Sequence, residues 1–286
     1  VCDSYKIDKK TKRSFREFGS ISYDSRILSY GTDFVSIWTV NGRTKIPFTC
    51  HNMEHFQYIK GESDLVLKKG KFYLHQTIDT PDSISYNSTE FIGVDFGLTD
   101  IVVTSDGIKH SADSLNSYRE HRQKVRSSIQ SKGTKGAKKL LKRLSGKERT
   151  HAKIVNHTIS KSIIESAKNS SRGVAIEDLT NIRFTTKRRN KKFRTKLGKW
   201  SFYQLRSFIE YKGILNGVKV IVVNPRYSSQ TCNKCKHIGN RTNKNFKCTN
   251  CGNNDDADFN AAKNIASLGV SINTPEKSIM YCSLHI

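Results

Sequence analysis

A chain of 286 residues with 35% hydrophobic content is long enough to bury a core, and apolar runs such as "FIGVDFGL" and "VKVIVVN" demand one. Its 50 Lys and Arg against 25 Asp and Glu leave a net charge of +25, whose self-repulsion calls for a polyanionic partner. Nucleic acid is the expected partner ahead of an anionic membrane surface, because no apolar run approaches the ~18 residues of a spanning helix and no N-terminal stretch has a signal-peptide layout. Seven cysteines, four of them clustered, fit metal binding in a reducing compartment better than disulfides, so a cytoplasmic location is expected.

Residues 1 to about 90 read as short antiparallel strands. "FVSIWTVNGRTKIPF" frames two β-rich runs about Asn41-Gly42, and "SDLVLKKGKFYLHQTID" repeats the pattern about Lys69-Gly70. "TPDSISYNST", residues 80–89, is poor in apolar side chains and reads as a linker. Phe91 to Val94 and Ile101 to Val103 are apolar strands, with a turn at Asp106-Gly107 into a third. From Tyr118 to about Lys168 the pattern is helical, with Val155, Ile159, Ile163 and Ala167 on one face. "GVAIEDL" is a buried strand, "FYQLRSFIEYKGILNG" an amphipathic helix ending at Gly217, and "VKVIVVN" a further apolar strand. "DFNAAKNIASLG" reads as a last short helix stopped by Gly269.

Half of the protein's bases fall in residues 118–199, 25 Lys and Arg against 5 Asp and Glu. Within them Lys187, Arg188, Arg189, Lys191, Lys192, Arg194 and Lys196 run together, with Phe184, Phe193 and Trp200 interleaved. At this density we read nucleic-acid contact rather than a solvated helical face. Such side chains grip phosphates, which gives affinity that falls steeply with salt.

Cys232, Cys235, Cys248 and Cys251 form two C-x2-C pairs twelve residues apart. That spacing places four thiolates around one structural Zn²⁺; two disulfides or a redox pair are the alternatives, and iron would also satisfy the ligands. Four protein ligands close such a site, so this metal does no chemistry. Cys2, Cys50 and Cys282 read as ordinary thiols.

Three carboxylates lie on three other elements. Asp95 interrupts the apolar strand "FIGVDFG", with Gly97 leaving room for a ligand, and Glu177 comes near the end of another apolar strand, "VAIEDL". Asp258 opens the last helix, where the dipole favours an anion. Each has a plainer role: Asp258 as a helix cap, Glu177 as the partner of an arginine, and "DFG" as a chance match to a kinase triplet that lacks the accompanying glycine-rich loop. Buried strand-end carboxylates are costly unless a cation compensates, and hard oxygen ligands on rigid elements suit Mg²⁺. Together with the basic segment they point to a metal-dependent phosphodiesterase.

"GVDFGLTDIVVTSDG", "AIEDLTNIR", "FYQLRSFIEYKGILNGVKVIVVNPRYSSQTCNKC" and "CTNCGNNDDADFNAAKNI" resemble the TnpB (OrfB) proteins of bacterial and archaeal insertion sequences, relatives of the type V CRISPR effectors. The resemblance runs from about Phe15 to about Val270. It implies an α/β RuvC-like (RNase H-type) nuclease domain with an inserted zinc ribbon, preceded by a partial antiparallel β module like a wedge barrel. The implied boundaries are 1–90 for the β module, 91–227 for the first part of the nuclease domain, 228–254 for the ribbon and 255–286 for the remainder. The catalytic, Mg²⁺-binding acids would be Asp95, Glu177 and Asp258; the family's third acid stands two residues before an asparagine, here Asn260, which selects Asp258 over Asp255 and Asp256.

The resemblance further implies an RNA-guided DNA endonuclease, encoded by a transposon and long described as a transposase, with guide RNA and target DNA as partners. Its place would be the prokaryotic cytoplasm, at the nucleoid when DNA-bound. Two Mg²⁺ ions bridged by Asp95 would activate water and stabilise the leaving oxygen. Arg241, within the ribbon, is a candidate phosphate contact whose plainer reading is a solvated loop arginine. Family members carry an upstream strand and helical recognition lobe ahead of the region resembling "FREFGSISYDSRILSYG", so the chain reads as a fragment, a gene with an altered start or a naturally shortened form. A non-cleaving nucleic-acid-binding repressor and an inactive remnant of the same family are the alternatives.

Overall fold

A computed structural model describes residues 6–11, 14, 16–50, 53–81, 83, 86–180, 201–224 and 226–273. The chain divides into two compact units, Val1–Pro81 and Asp82–Ile286.

In the first unit the strands are β1 (Ile21–Tyr23), β2 (Leu28–Tyr30), β3 (Phe34–Thr39), β4 (Gly42–Pro47), β5 (Ile59–Lys68) and β6 (Lys71–Ile78). They form two three-stranded sheets, in the orders β1-β5-β6 and β2-β3-β4, with every pairing antiparallel. Lys69 and Gly70, both at positive φ, make the tight two-residue turn between β5 and β6, whose twist matches the flanking strands. A small core of Tyr23, Leu28, Val35 and Ile37 is completed by Phe48, Leu65 and Leu74.

The second unit is built on a five-stranded sheet in the order β11-β10-β7-β8-β9. These strands are β7 (Phe91–Phe96), β8 (Asp100–Thr104), β9 (Lys109–Ser111), β10 (Gly173–Glu177) and β11 (Val220–Val223). β10 runs parallel to both β7 and β11, whereas β8 and β9 return antiparallel. The helices are α1 (Asp113–Ser131), α2 (Lys135–Leu144), α3 (Lys147–Asn169), α4 (Phe202–Leu215) and α5 (Ala257–Asn273). The stretch read as one helical pattern is thus three helices, broken at Gly133 and Gly146, both at positive φ.

Side chains alternate across a strand, so the central strands sort their residues between two layers. Ile92, Val94 and Phe96 of β7, with Val174 and Ile176 of β10, pack on one face against Leu115, Ile159, Ile163, Leu205 and Ile209. Phe91 and Ala175 face the other way, against Ile265 of α5. Burying each large aliphatic side chain there stabilises the fold by about 1.5–3 kcal/mol.

Two expectations change. Gly269 does not stop α5, which continues to Asn273. A Cβ at Gly269 would lie 2.7 Å from that of Ala175, and one at Gly93 would lie 1.9 Å from the carbonyl oxygen of Ala262. These two glycines let α5 lie close on the sheet. The stretch read as a linker contains the boundary between the two units, yet its described residues Ser83 and Tyr86 are tied down: Tyr86 donates to the carbonyl of Arg172 at 2.8 Å and packs on the core, and Ser83 donates to the carbonyl of Leu215.

Between β11 and α5 lies a small three-stranded antiparallel module of β12 (Asn240–Thr242), β13 (Asn245–Lys247) and β14 (Asn254–Asp256). Phe246 is its buried apolar centre, packed with Cys232, Cys248 and Ala257.

Candidate metal and active centre

The four cysteines of this module are brought together. Cys232 and Cys251 have their Sγ atoms 3.6 Å apart, Cys235 and Cys248 3.5 Å, and all four lie within 4.8 Å of one another. A tetrahedron of thiolates at ~2.3 Å from Zn²⁺ has edges of ~3.8 Å, so this donor set fits a structural zinc ion. The turn after each pair is fixed by the backbone: Lys236 N–H donates to the Cys232 carbonyl, and Cys251 N–H points at Cys248 Sγ. A hydrogen bond from the backbone of His237 pulls the Cys235 thiol down to about 6, whereas, against a backbone hydrogen bond from Asn253, hydrogen bonds with the neighbouring thiols push Cys251 up to about 12, so the protons are shared unevenly within the cluster.

The module is riveted to α5 through asparagines. Asn260 accepts from the backbone N–H of Asn233 at 2.9 Å and donates to the Thr231 carbonyl; Asn264 donates to the carbonyls of Ser228 and Thr231. Lys236 reaches Asn264 and Ser267 on the same helix. These buried polar groups are satisfied only while both elements hold their places.

The three carboxylates come from the elements that the fold stacks here. Asp95 shares the parity of Phe91 and Gly93 on β7, and Glu177 that of Ala175 on β10, so both face α5. The two strands are parallel neighbours whose register runs to Val94 and Ile176, which sets Asp95 and Glu177 side by side one step further on. Glu177 is 6% exposed and accepts the N–H of Phe96 at 2.8 Å. Asp258, whose side chain is 15% exposed, stands in the first turn of α5.

Electrostatics tie the three together. Burial, then the carboxylates of Glu177 and Asp258, push Asp95 well above the usual carboxylate range, with Arg241 pulling it back. Burial pushes Glu177 up to about 7, against the Phe96 N–H, with Asp258 adding to the rise. Arg241 donates to Asp258 Oδ1 at 2.9 Å. Lys244 pairs with Asp100 and lies 4.0 Å from Asp258. Among the described residues, only the cysteine group has three or more ligand atoms all within 4.8 Å of one another; the carboxylates stand further apart, balanced by these cations.

The neighbouring aspartates have other tasks. Asp256 accepts the backbone N–H groups of Asp258 and Phe259 and so caps α5, while pairing with Lys109 at 2.7 Å. Burial works to raise it, but Lys109 and the helix N–H groups hold it below its ordinary value. Asp255 pairs with Lys263 at 3.1 Å and accepts from Asn233.

Gly97 does not make room for a ligand: a Cβ there would meet the Asp100 carbonyl at 2.5 Å, in the tight β7–β8 connection. Arg241 is neither a loop residue nor unpaired, since it lies on β12 against Asp258. Lys244 and Asp100 carry no motif that could have singled them out. Lys187, Arg188, Arg189, Lys191, Lys192, Arg194 and Lys196 fall outside the described residues.

Residues 202–265, from α4 through the cysteine module into α5, match the family model described as Cas12f1-like, TNB domain. A TnpB-like protein of Methanocaldococcus jannaschii is 34% identical over 58% of this chain and 61% of its own length. In sequence the chain is similar to TnpB-like proteins. It is also similar to the CRISPR-associated endodeoxyribonuclease Cas12f1 of Sulfoacidibacillus thermotolerans, 33% identical over 70% of this chain and 50% of that protein. The chain therefore spans about half to three-fifths of the length of these two curated relatives. In fold it is similar to the Cas12f1 subunit of a cryo-EM structure with single-guide RNA and target DNA, at a TM-score of 0.54 and 23% identity, over 72% of this chain and 44% of that one. No helix among the described residues is long and apolar enough to cross a membrane.

Proposed function

We propose that this chain carries the cutting centre of a transposon-associated, RNA-guided DNA endonuclease of RuvC-like, RNase H type. The observation that carries the reading is the convergence of Asp95, Glu177 and Asp258 from two adjacent strand ends and a helix start, with burial and mutual repulsion raising Asp95 and Glu177. Such a set of oxygen donors with raised pKa values marks a site built for positive charge. Asp95, Glu177 and Asp258 would hold Mg²⁺. When bound there, divalent cations supply Lewis acidity, activating water and stabilising the leaving oxygen of a phosphodiester.

The protein's own groups do the rest. The rigid sheet fixes Asp95 and Glu177, and the Phe96 N–H orients the Glu177 carboxylate. Arg241 and Lys244 bring positive charge to the side where a DNA phosphate would approach. The cysteines would hold Zn²⁺ and, through Asn260 and Asn264, keep the start of α5 in register with the sheet. Guide RNA and target DNA are the proposed partners, with the bases of 187–196 and Arg241 as phosphate contacts.

The test is to purify the full chain, sequence the RNA that accompanies it, and measure cutting of matched DNA with and without Mg²⁺. Cutting that needs Mg²⁺ and vanishes in Asp95→Ala is expected. Cutting by Asp95→Ala at the wild-type rate would overturn the assignment.

A further inference from the structure

Helices α1, α2 and α3 carry 14 Lys and Arg against 4 Asp and Glu. They enclose two adjoining clefts of about 420 and 510 Å³ that share Arg126, Ser145, Gly146 and Glu148 in their walls. Arg122 lines the first cleft, and Arg119 and Arg149 the second. Four arginines thus line the two clefts, whose one carboxylate, Glu148, is already engaged by Arg119 at 3.5 Å.

The guanidinium groups are set at different depths. Arg119 lies at the floor, 6% exposed, and burial presses it below its ordinary value against the pull of Glu148. Arg122 is half-buried and held by the Leu144 carbonyl at 3.3 Å. Arg126 and Arg149 are exposed at the mouth, and neither takes an ion pair among the described residues. Clefts lined by an excess of positive side chains raise the local concentration of anions and favour one seated among them. Gly146, the first residue before α3, offers no side-chain cap, so the helix start adds N–H donors to the same wall.

We propose that this cleft is a seat for the phosphodiester backbone of a nucleic acid, with Arg126 and Arg149 taking phosphates at the mouth. Arginine is suited to the task because its planar fork meets two phosphate oxygens at once. A backbone is favoured over an isolated anion because Ser201, on the rim, directly follows the segment 181–200 in the chain, which has nine Lys and Arg and no Asp or Glu. A lipid surface is disfavoured because Ile154 is the one large apolar side chain exposed on these three helices. The inference rests on the nucleic-acid reading above and does not depend on the cutting chemistry.

The experiment measures binding of the full chain to single-stranded RNA and single-stranded DNA of the same 20-nucleotide sequence, by filter retention across a salt series without divalent cation. Each phosphate contact contributes about 0.7 to the slope of log affinity against log salt for single strands. The double variant R126Q/R149Q is expected to lower that slope by about 1.4 and to weaken binding severalfold at physiological salt. Loss on RNA alone assigns the seat to RNA, loss on DNA alone to DNA, and loss on both to either backbone. The charge-matched variant K161Q/K168Q, on α3 but outside the cleft walls, is the control and is expected to keep most of the slope. An unchanged slope for R126Q/R149Q with both nucleic acids, or an equal fall in the control, would overturn the proposal. Because no cutting is measured, either result leaves the three-carboxylate reading where it stood.

Discussion

The cysteine module and the carboxylate cluster are both collections of metal-type ligands, and they differ in how they are held together. The four sulfurs lie within 4.8 Å because each C-x2-C pair is a local turn, and one short hairpin joins the two. The three carboxylates arrive from β7, β10 and α5, separated by more than eighty residues of chain, and repel one another on arrival. Local turns gather ligands before any ion is needed. A site assembled by tertiary packing is gathered against its own electrostatics, with Arg241 and Lys244 as counter-charges.

The comparison can be broken most severely at the cysteines. Structural Zn²⁺ contributes on the order of 10 kcal/mol to small zinc modules. Cys248→Ser is therefore expected to lose bound zinc and, through the Asn233–Asn260 link, to lose cutting as well. Metal content by mass spectrometry, read beside activity, checks this, and retained cutting in the zinc-free protein would show that the two regions are independent. The reverse should not hold. Asp95→Ala is expected to reduce Mg²⁺-dependent cutting by ~10³-fold or more while one zinc per chain remains.

Glu177 sharpens the electrostatic half of the contrast. Its pKa is raised in the folded protein to about 7, so without divalent cation the unfolded chain releases its proton first as pH rises. Stability is then fully present below the ordinary glutamate pKa and falls by about 3 kcal/mol as pH climbs through about 7. Glu177→Gln should remove that loss, making the cation-free variant more stable than the parent at pH 8 and similar at pH 4. Urea unfolding at the two pH values decides it. The smallest effect is expected from Arg241→Gln. Removing one partly exposed counter-charge should lower by about two- to fivefold the Mg²⁺ concentration that gives half-maximal thermal stabilisation.

Several features were open to reading along the chain. The C-x2-C spacing needs no tertiary knowledge, and Asp95 and Glu177 announce themselves as acids inside otherwise apolar strands. Asp258 was separable from Asp255 and Asp256 only through family resemblance, because three acids before a helix all suit its dipole. Coordinates give each a distinct duty: Asp256 caps, Asp255 pairs with Lys263, and Asp258 faces the sheet. Gly269 misled for a physical reason. The same missing Cβ that ends helices also permits close helix–sheet approach, and only the neighbour, Ala175, tells which applies. Tyr86 was likewise invisible, since its partners are carbonyl groups over eighty residues away.

By itself the sequence determined the charge of the molecule, the strand and helix periods of the second unit, and the cysteine ligand set, because each is written in neighbouring residues. Tertiary structure alone decided that Asp95 and Glu177 share a face, that Arg241 and Lys244 balance Asp258, and that four arginines line two adjoining clefts. Those facts depend on strand order and helix packing, which bring together side chains that covalent connectivity keeps far apart.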